Sequence, residues 1–237
     1  MKKIFLSVLL LGVIAFAMAQ KTIVNDANAE KRTVSGFTGI RVSSAIDLYL
    51  TQGDEDGVAV SASETKYRDR IKTEVKDGVL KIWYDNEGFS WTRGNKKMRA
   101  YVSIKTIHSL HASGASDVFV NGTIRSTDLS IELSGASDFK GVLDVATLKT
   151  HISGASDITA SGKVGELTID ASGASDFKGY DLIAQTCDAG ASGASDIKIT
   201  VDKELSASAS GASDVHVKGN GVIRKMSSSG ASSVKKI

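Results

Sequence analysis

The chain has 237 residues, with 29 Lys and Arg against 27 Asp and Glu, and only 6% of it is aromatic. Charge so nearly balanced excludes nucleic acid or an anionic membrane as the main partner. A single cysteine excludes an internal disulfide framework, and the complete absence of proline removes the usual mark of an interdomain linker.

Residues 1–19 read as an export signal. Lys2 and Lys3 form its charged start, residues 4–16 its apolar run, and Ala17-Met18-Ala19 a small-x-small cleavage site that leaves Gln20 first. The apolar run is too short for a comfortable membrane span, and no cysteine follows it as a lipoprotein signal requires. Loss of the two lysines makes basic and acidic residues equal in number. The expectation is an exported protein of the periplasm or the cell surface, with no membrane insertion after cleavage. Residues 20–35 are polar and read as a lead-in segment. Residues 36–237 read as one domain.

The first part of that domain, 36–112, reads as irregular β structure. Ile40-Arg41-Val42 alternates, Leu48-Tyr49-Leu50-Thr51 and Val58-Ala59-Val60 flank the turn Gly53-Asp54-Glu55-Asp56-Gly57, and Val79 to Tyr84 follows the turn Asp77-Gly78. One short helical turn is expected within 64–71. Residues 85–98 read as a polar loop before a strand at 99–104. The alternation sets Trp83 on the opposite face from Ile82.

From Ser113 onward the sequence repeats. SGASD occurs at 113–117 with Gly114 and Asp117, and again with Gly135 and Asp138, Gly154 and Asp157, Gly173 and Asp176, Gly193 and Asp196, and Gly211 and Asp214. An altered last copy keeps Gly230 but ends on Ser233. The glycines are 18 to 21 residues apart, and such a period marks a solenoid in which one repeat is one coil. Apolar residues, with Thr150 the exception, recur five, three and one positions before the motifs from Ser134 to Ser210, as in Leu167, Ile169 and Ala171. Another apolar residue follows each Asp: Val118, Phe139, Ile158, Phe177, Ile197, Val215 and Val234. Period-2 alternation on both sides predicts two strands per coil, with SGAS as the turn between them. Glycine supplies positive φ or close backbone approach at that corner. Ala and Ser are small enough to stack on their copies, the Ser hydroxyls passing hydrogen bonds from coil to coil. The Asp is expected to accept from an N–H of its own turn. At about 4.8 Å per coil the seven motifs span roughly 30 Å. A degenerate copy, Ser43-Ser44-Ala45-Ile46-Asp47, extends the idea into the irregular part. Cys187 falls in a Leu column and reads as a buried small hydrophobe.

Candidate chemistry is sparse. Stacked carboxylates invite a Ca²⁺ ladder, but Ca²⁺ β-rolls need nine-residue repeats with paired glycines, so the Asp column reads as a turn device. His108, His111, His151 and His216 lack zinc-helix spacing, and no GxSxG elbow is present. No metal, cofactor or catalytic residue is therefore assigned. The loop 85–98 brings Phe89, Trp91 and Arg93 together with Lys96 and Lys97. Such a loop either stacks on sugars or folds back as a cap over the first coil.

Three stretches together carry a resemblance: Gly36-Phe37-Thr38-Gly39-Ile40, Ile46-Asp47-Leu48-Tyr49-Leu50-Thr51-Gln52-Gly53 and Lys76-Asp77-Gly78-Val79-Leu80-Lys81-Ile82. With the serial SGASD turns, the chain from about residue 35 to its end resembles the secreted GIN-domain family of auto-transporter adhesin heads. The resemblance implies an all-β fold, a right-handed single-stranded β-helix akin to the pectin-lyase superfold. It carries over no catalytic residues. The expected function is a secreted, non-enzymatic binding or adhesion module at the cell envelope, recognising a glycan or an envelope protein, with Phe89, Trp91 and Arg93 as contacts. A polysaccharide-active enzyme on the same fold and a plain structural spacer are the alternatives.

Overall fold

The computed structural model describes residues 26–86 and 96–237. In chain order they form β1 (Glu30–Arg32), β2 (Gly39–Val42), β3 (Asp47–Gln52), β4 (Gly57–Ser61), the one-turn helix α1 (Thr65–Arg68), β5 (Ile71–Lys76), β6 (Val79–Tyr84), β7 (Arg99–Ile104) and β8 (Ser109–Ala112). Five long strands follow: β9 (Val118–Leu133), β10 (Asp138–Ile152), β11 (Asp157–Ala171), β12 (Asp176–Ala191) and β13 (Asp196–Gly211). The last are β14 (Asp214–Lys218), β15 (Val222–Gly230) and β16 (Ser233–Lys236).

From β9 onward each coil pairs in parallel with the next, and Asp lies opposite Asp in every step from Asp138 to Asp214. The predicted columns stand. Phe139 is level with Val118 and Ile158, and Cys187 is level with Leu167 and Leu205. Their side chains fill one buried cluster that runs from Phe37 to Val217.

The two strands predicted for each coil are one. β10 and its neighbours run unbroken through the second corner, where the register slips, as between Lys140 and Val142 or Thr159 and Gly162. A bulge bends the strand while most of its ladder survives, and Gly122 and Gly162 take positive φ there; Gly219 does so where the last coil divides into β14 and β15. The corner is a defect within a strand, so apolar alternation passes it without a turn signal.

The SGAS corner is closed by backbone stacking. Each motif glycine from Gly114 to Gly230 has φ between +67° and +81°. Each carbonyl from Gly135 to Gly211 then accepts from the Ala N–H one coil on: Ala155 to Gly135 at 2.8 Å, Ala174 to Gly154 at 2.8 Å, Ala194 to Gly173 at 2.7 Å. The second Ser of each motif from Ser116 to Ser213 is fully buried. A buried hydroxyl needs a partner, and the backbone N–H of Ser116, Ser137 and Ser195 donates to the Oγ of Ser137, Ser156 and Ser213 at 3.1–3.2 Å.

The first half departs from a simple run of longer coils. β2 pairs in parallel with β6 on one side and β8 on the other, and β3 likewise lies between β7 and β9. The coil made first is therefore seated inside, between two coils made later. Its corner, 43–47, stacks on 113–117: Ala45 N–H donates to the Gly114 carbonyl at 2.9 Å and Ile46 N–H to Ser116 Oγ at 3.1 Å. Ser44 and Ala45 adopt positive φ without being glycine. Antiparallel strands finish this end, β5 on β6, β4 on β7 and β1 on β4. The polar lead-in thus contributes a strand. The expected helical turn is α1, and Tyr67 on it is buried. Ile82 is buried and Trp83 on the other face is half-buried.

Two expectations follow. Gly78→Ala, at φ +73° with open space beside it, costs about 1–2 kcal/mol for the left-handed backbone alone. Gly173→Ala, at φ +81°, sets its methyl 2.6 Å from the Gly154 carbonyl oxygen and costs at least ~1–3 kcal/mol more. Equal losses in chemical denaturation would show that the corner is not closely stacked. Burial, helped by the Asp188 charge, pushes the Cys187 thiol up. A value raised by folding gives stability that is complete below the ordinary thiol value of 9.0 and is lost as pH rises past it. The thiol's share approaches about 1.4 kcal/mol per pH unit. Denaturation at pH 8 and pH 10 shows a smaller alkaline loss in Cys187→Ala than in the parent, and thiol reagents label the parent only on unfolding.

Candidate functional site

Phe89, Trp91 and Arg93 lie outside the described residues. The Gly and Asp ladder lies within them. Each Asp was expected to cap its own turn, but Asp117, Asp138, Asp157 and Asp214 reach across to the next coil instead. Asp117 Oδ1 accepts the Asp138 N–H at 3.1 Å, Asp138 Oδ1 that of Asp157 at 3.2 Å, and Asp157 Oδ1 that of Asp176 at 3.2 Å. The turn's own Ala N–H is already given to a glycine carbonyl, so the carboxylate finds its donor one strand spacing away. Ser233 ends the column by donating its N–H and hydroxyl to Asp214, whose carboxyl is held below its ordinary value by that contact. Lys178 Nζ sits 2.5 Å from Asp157 and 3.4 Å from Asp176. His108, His111 and His151 each face one carboxylate, of Asp128, Glu132 and Asp170. Among the described residues no three metal-type side chains converge.

A different feature gathers binding chemistry. Tyr101 on β7, Tyr49 on β3 and Phe119 on β9 are level with one another across three parallel strands. Their chain neighbours Ala100, Val102, Leu48, Leu50 and Val118 are buried, so alternation turns the three rings outward. Tyr49 is the middle ring, with centroids 5.3 Å from Tyr101 and 5.4 Å from Phe119 and planes inclined by 24° and 27°. The Tyr101 hydroxyl donates to Asp26 Oδ2 at 2.8 Å. Burial opposes ionisation of Asp26, but hydrogen bonds from Tyr101 and Ser61 outweigh it and hold the carboxyl down. Tyr101 is pushed up by burial and by that same bond.

Tyr49 and Tyr101 form the floor of a cleft of about 860 Å³ between the lead-in at 33–35 and the turn 53–57, and Phe119 continues the row just outside it. The turn is fixed in place. Asp56 accepts the Gly36 N–H at 3.0 Å and the Lys105 N–H at 3.2 Å, and Ser103 Oγ donates to the Glu55 carbonyl at 2.8 Å. Asp54 and Glu55 are exposed at the rim, and Asn121 lines the side next to Phe119. The faces of Tyr49 are turned to its two neighbours, so the arrangement offers apolar ring edges flanked by hydrogen-bonding groups.

Sequence reasoning missed this row. Tyr49 and Phe119 stand two residues after Asp47 and Asp117, so alignment on the motif would have placed them in one column. Tyr101 has no motif copy before it to align. Farther along, the same column reads Lys140, Thr159, Lys178, Lys198, His216 and Lys235.

The Asp column yields an expectation. Burial, then the charges of Asp117 and Asp157, push the Asp138 carboxyl up. Its contribution is therefore greatest below the ordinary carboxylate value of 3.8 and is lost as pH rises. Asp138→Asn keeps an oxygen for the Asp157 N–H and removes the repulsion. Its thermal midpoint exceeds the parent's at pH 7, and the gap closes below pH 3.8. Asp138→Ala, with no acceptor, melts below the parent. A chelator leaves the parent's midpoint unchanged.

Similarity to known proteins runs along the same architecture. Residues 36–221 match the family described as "Putative auto-transporter adhesin, head GIN domain". No curated protein matches the chain. Among solved structures, a "putative adhesin" from Bacteroides fragilis superposes with a TM-score of 0.81 at 21% identity, covering 88% of this chain and 96% of that one. A "putative adhesin" from Parabacteroides distasonis gives 0.70 at 18% identity over 88% and 96%. A "putative lipid binding protein" from the same species gives 0.66 at 19% identity over 90% and 98%. At these identities the likeness is one of fold. The family match spans most of the chain, and the chain belongs to the GIN-domain family of auto-transporter adhesin heads.

Proposed function

We propose that this protein is an exported, non-enzymatic adhesion module that holds a glycan across the Tyr101–Tyr49–Phe119 row. The row itself carries the reading: three rings, outward and level, beside a formed cleft. Sugar rings present C–H faces that pack on apolar surface, here the outward edges of the three stacked rings, and the hydroxyls at their edges need polar partners. Asp54, Glu55 and Asn121 supply those partners at the rim. The family name and the export signal read from residues 1–19 support a place outside the cytoplasm or at the cell surface. Among the described residues no helix is long and apolar enough to cross a membrane.

The test is a glycan array on the purified protein, followed by titration calorimetry on the hits. Tyr49→Ala weakens binding by about tenfold or more, the usual scale for losing a central aromatic contact. Tyr49→Phe binds nearly as well as the parent, and both variants are compared only if their melting curves match it. Unchanged binding in Tyr49→Ala, with loss in a Trp91→Ala, Arg93→Ala double variant, overturns the row and places the site on the 85–98 loop. Accumulating cleavage products establish the enzyme alternative.

A further inference from the structure

The two ends of the solenoid are finished differently. Antiparallel strands close the first end. At the other end β15 pairs only with β13, and β16 only with β14. Among the described residues no strand lies beyond them, so the last coil presents a backbone edge of the kind that accepts another strand.

That coil also leaves the core open. Ile223 and Met226 continue the inward columns of Leu205 and Ala207. Leu205 and Ala207 are 2% and 3% exposed, whereas Ile223 and Met226 are 37% and 51% exposed. Val234, level with buried Val215, is only half-buried. Nothing described covers these apolar side chains.

The edge has one sign of charge. Between Val215 and Ile237 stand Lys218, Arg224, Lys225, Lys235 and Lys236, and no Asp or Glu. Arg224 is paired with Glu204 at 2.5 Å. A second copy arriving by the same end would set these cations against themselves. Edge lysines of this kind keep bare strands from self-pairing, and they leave the edge complementary to an anionic strand.

We propose that the last coil is a docking edge for an extended segment of another protein, one in which acidic residues alternate with apolar ones. The segment adds as a further strand on β15. Its apolar side chains cover Ile223 and Met226, and its carboxylates meet Lys225 on β15 and, past the 229–233 corner, Lys235 on β16; Lys236 is already given to the Gly221 carbonyl. This edge is at the opposite end of the solenoid from the aromatic row, and the two sites are independent.

The probe is a fluorescein-labelled ten-residue peptide alternating Val and Glu, followed by anisotropy with the whole exported chain. A Val and Lys peptide is the control, and sedimentation velocity reports the state of the protein alone. The Val and Glu peptide binds saturably, and its affinity falls with added salt. Its Kd rises at least tenfold in Met226→Asp and in Lys225→Glu, Lys235→Glu, both of which melt with the parent because the coil is exposed. The Val and Lys peptide does not bind, and the protein alone sediments as a monomer. Equal binding of both peptides, no binding of either, or a dimer that Met226→Asp dissociates would each overturn the proposal, the last by showing that a second copy covers the edge.

Discussion

The whole solenoid depends on how closely two backbones approach at the SGAS corner. A glycine there rests on the glycine of the coil beneath, and there is no room for a methyl group between Gly173 and the Gly154 carbonyl. That contact sets the rise of one coil to one strand spacing. Once the rise is set, the carbonyl of each glycine from Gly114 to Gly211 meets an Ala N–H, Ser116, Ser137, Ser175 and Ser195 each meet the next buried serine, and Asp117, Asp138 and Asp157 reach the amides of their successors. None of these ladders would close if the corner were wider by a side chain. The carboxylates are held near one another by this geometry although their charges repel, and at Asp138 that repulsion adds to burial in pushing the carboxyl up.

Because every coil repeats the same rise, each outward position becomes a row on the surface, and the residue chosen there decides what the row does. In the regular part the row two residues after Asp is mostly lysine, which offsets the carboxylates alongside. On β7, β3 and β9 the same row is aromatic. The irregular region breaks the repeat beside this row. There it adds the turn 53–57 and the lead-in strand, which turn a flat row into a cleft. The regular coils give the row its alignment, and the irregular ones give it walls.

Features that repeat were legible in the sequence, because a column of like residues is a contact pattern written out in order. The Leu column foretold the burial of Cys187, and the glycine period foretold the stack. Features that depend on choosing among equivalent partners were not legible. Ile40-Arg41-Val42 alternates in the same way as Leu80-Lys81-Ile82, and nothing local says that β2 will lie between β6 and β8. The second corner was hidden because a bulge leaves the alternation intact. Tyr49 and Phe119 were each visible as strand residues. Only the three-dimensional neighbour Tyr101, 52 residues from one and 18 from the other along the chain, makes them a surface.

The interleaved coils bear on how the chain reaches this state. β2 and β3 gain both of their lateral partners only when strands from residue 79 to beyond 118 are present. A coil-by-coil zipper starting at the amino terminus is therefore closed to this region. From β9 onward each coil needs only its predecessor, a purely local addition with short loop closure. The protein thus joins two assembly regimes in one core. A slow, non-local knot of early strands must form as a unit, and behind it lies a tract that can lengthen or shorten by whole coils without disturbing what precedes it. Gain or loss of single SGASD repeats would change the reach of the molecule and leave the aromatic cleft as it is.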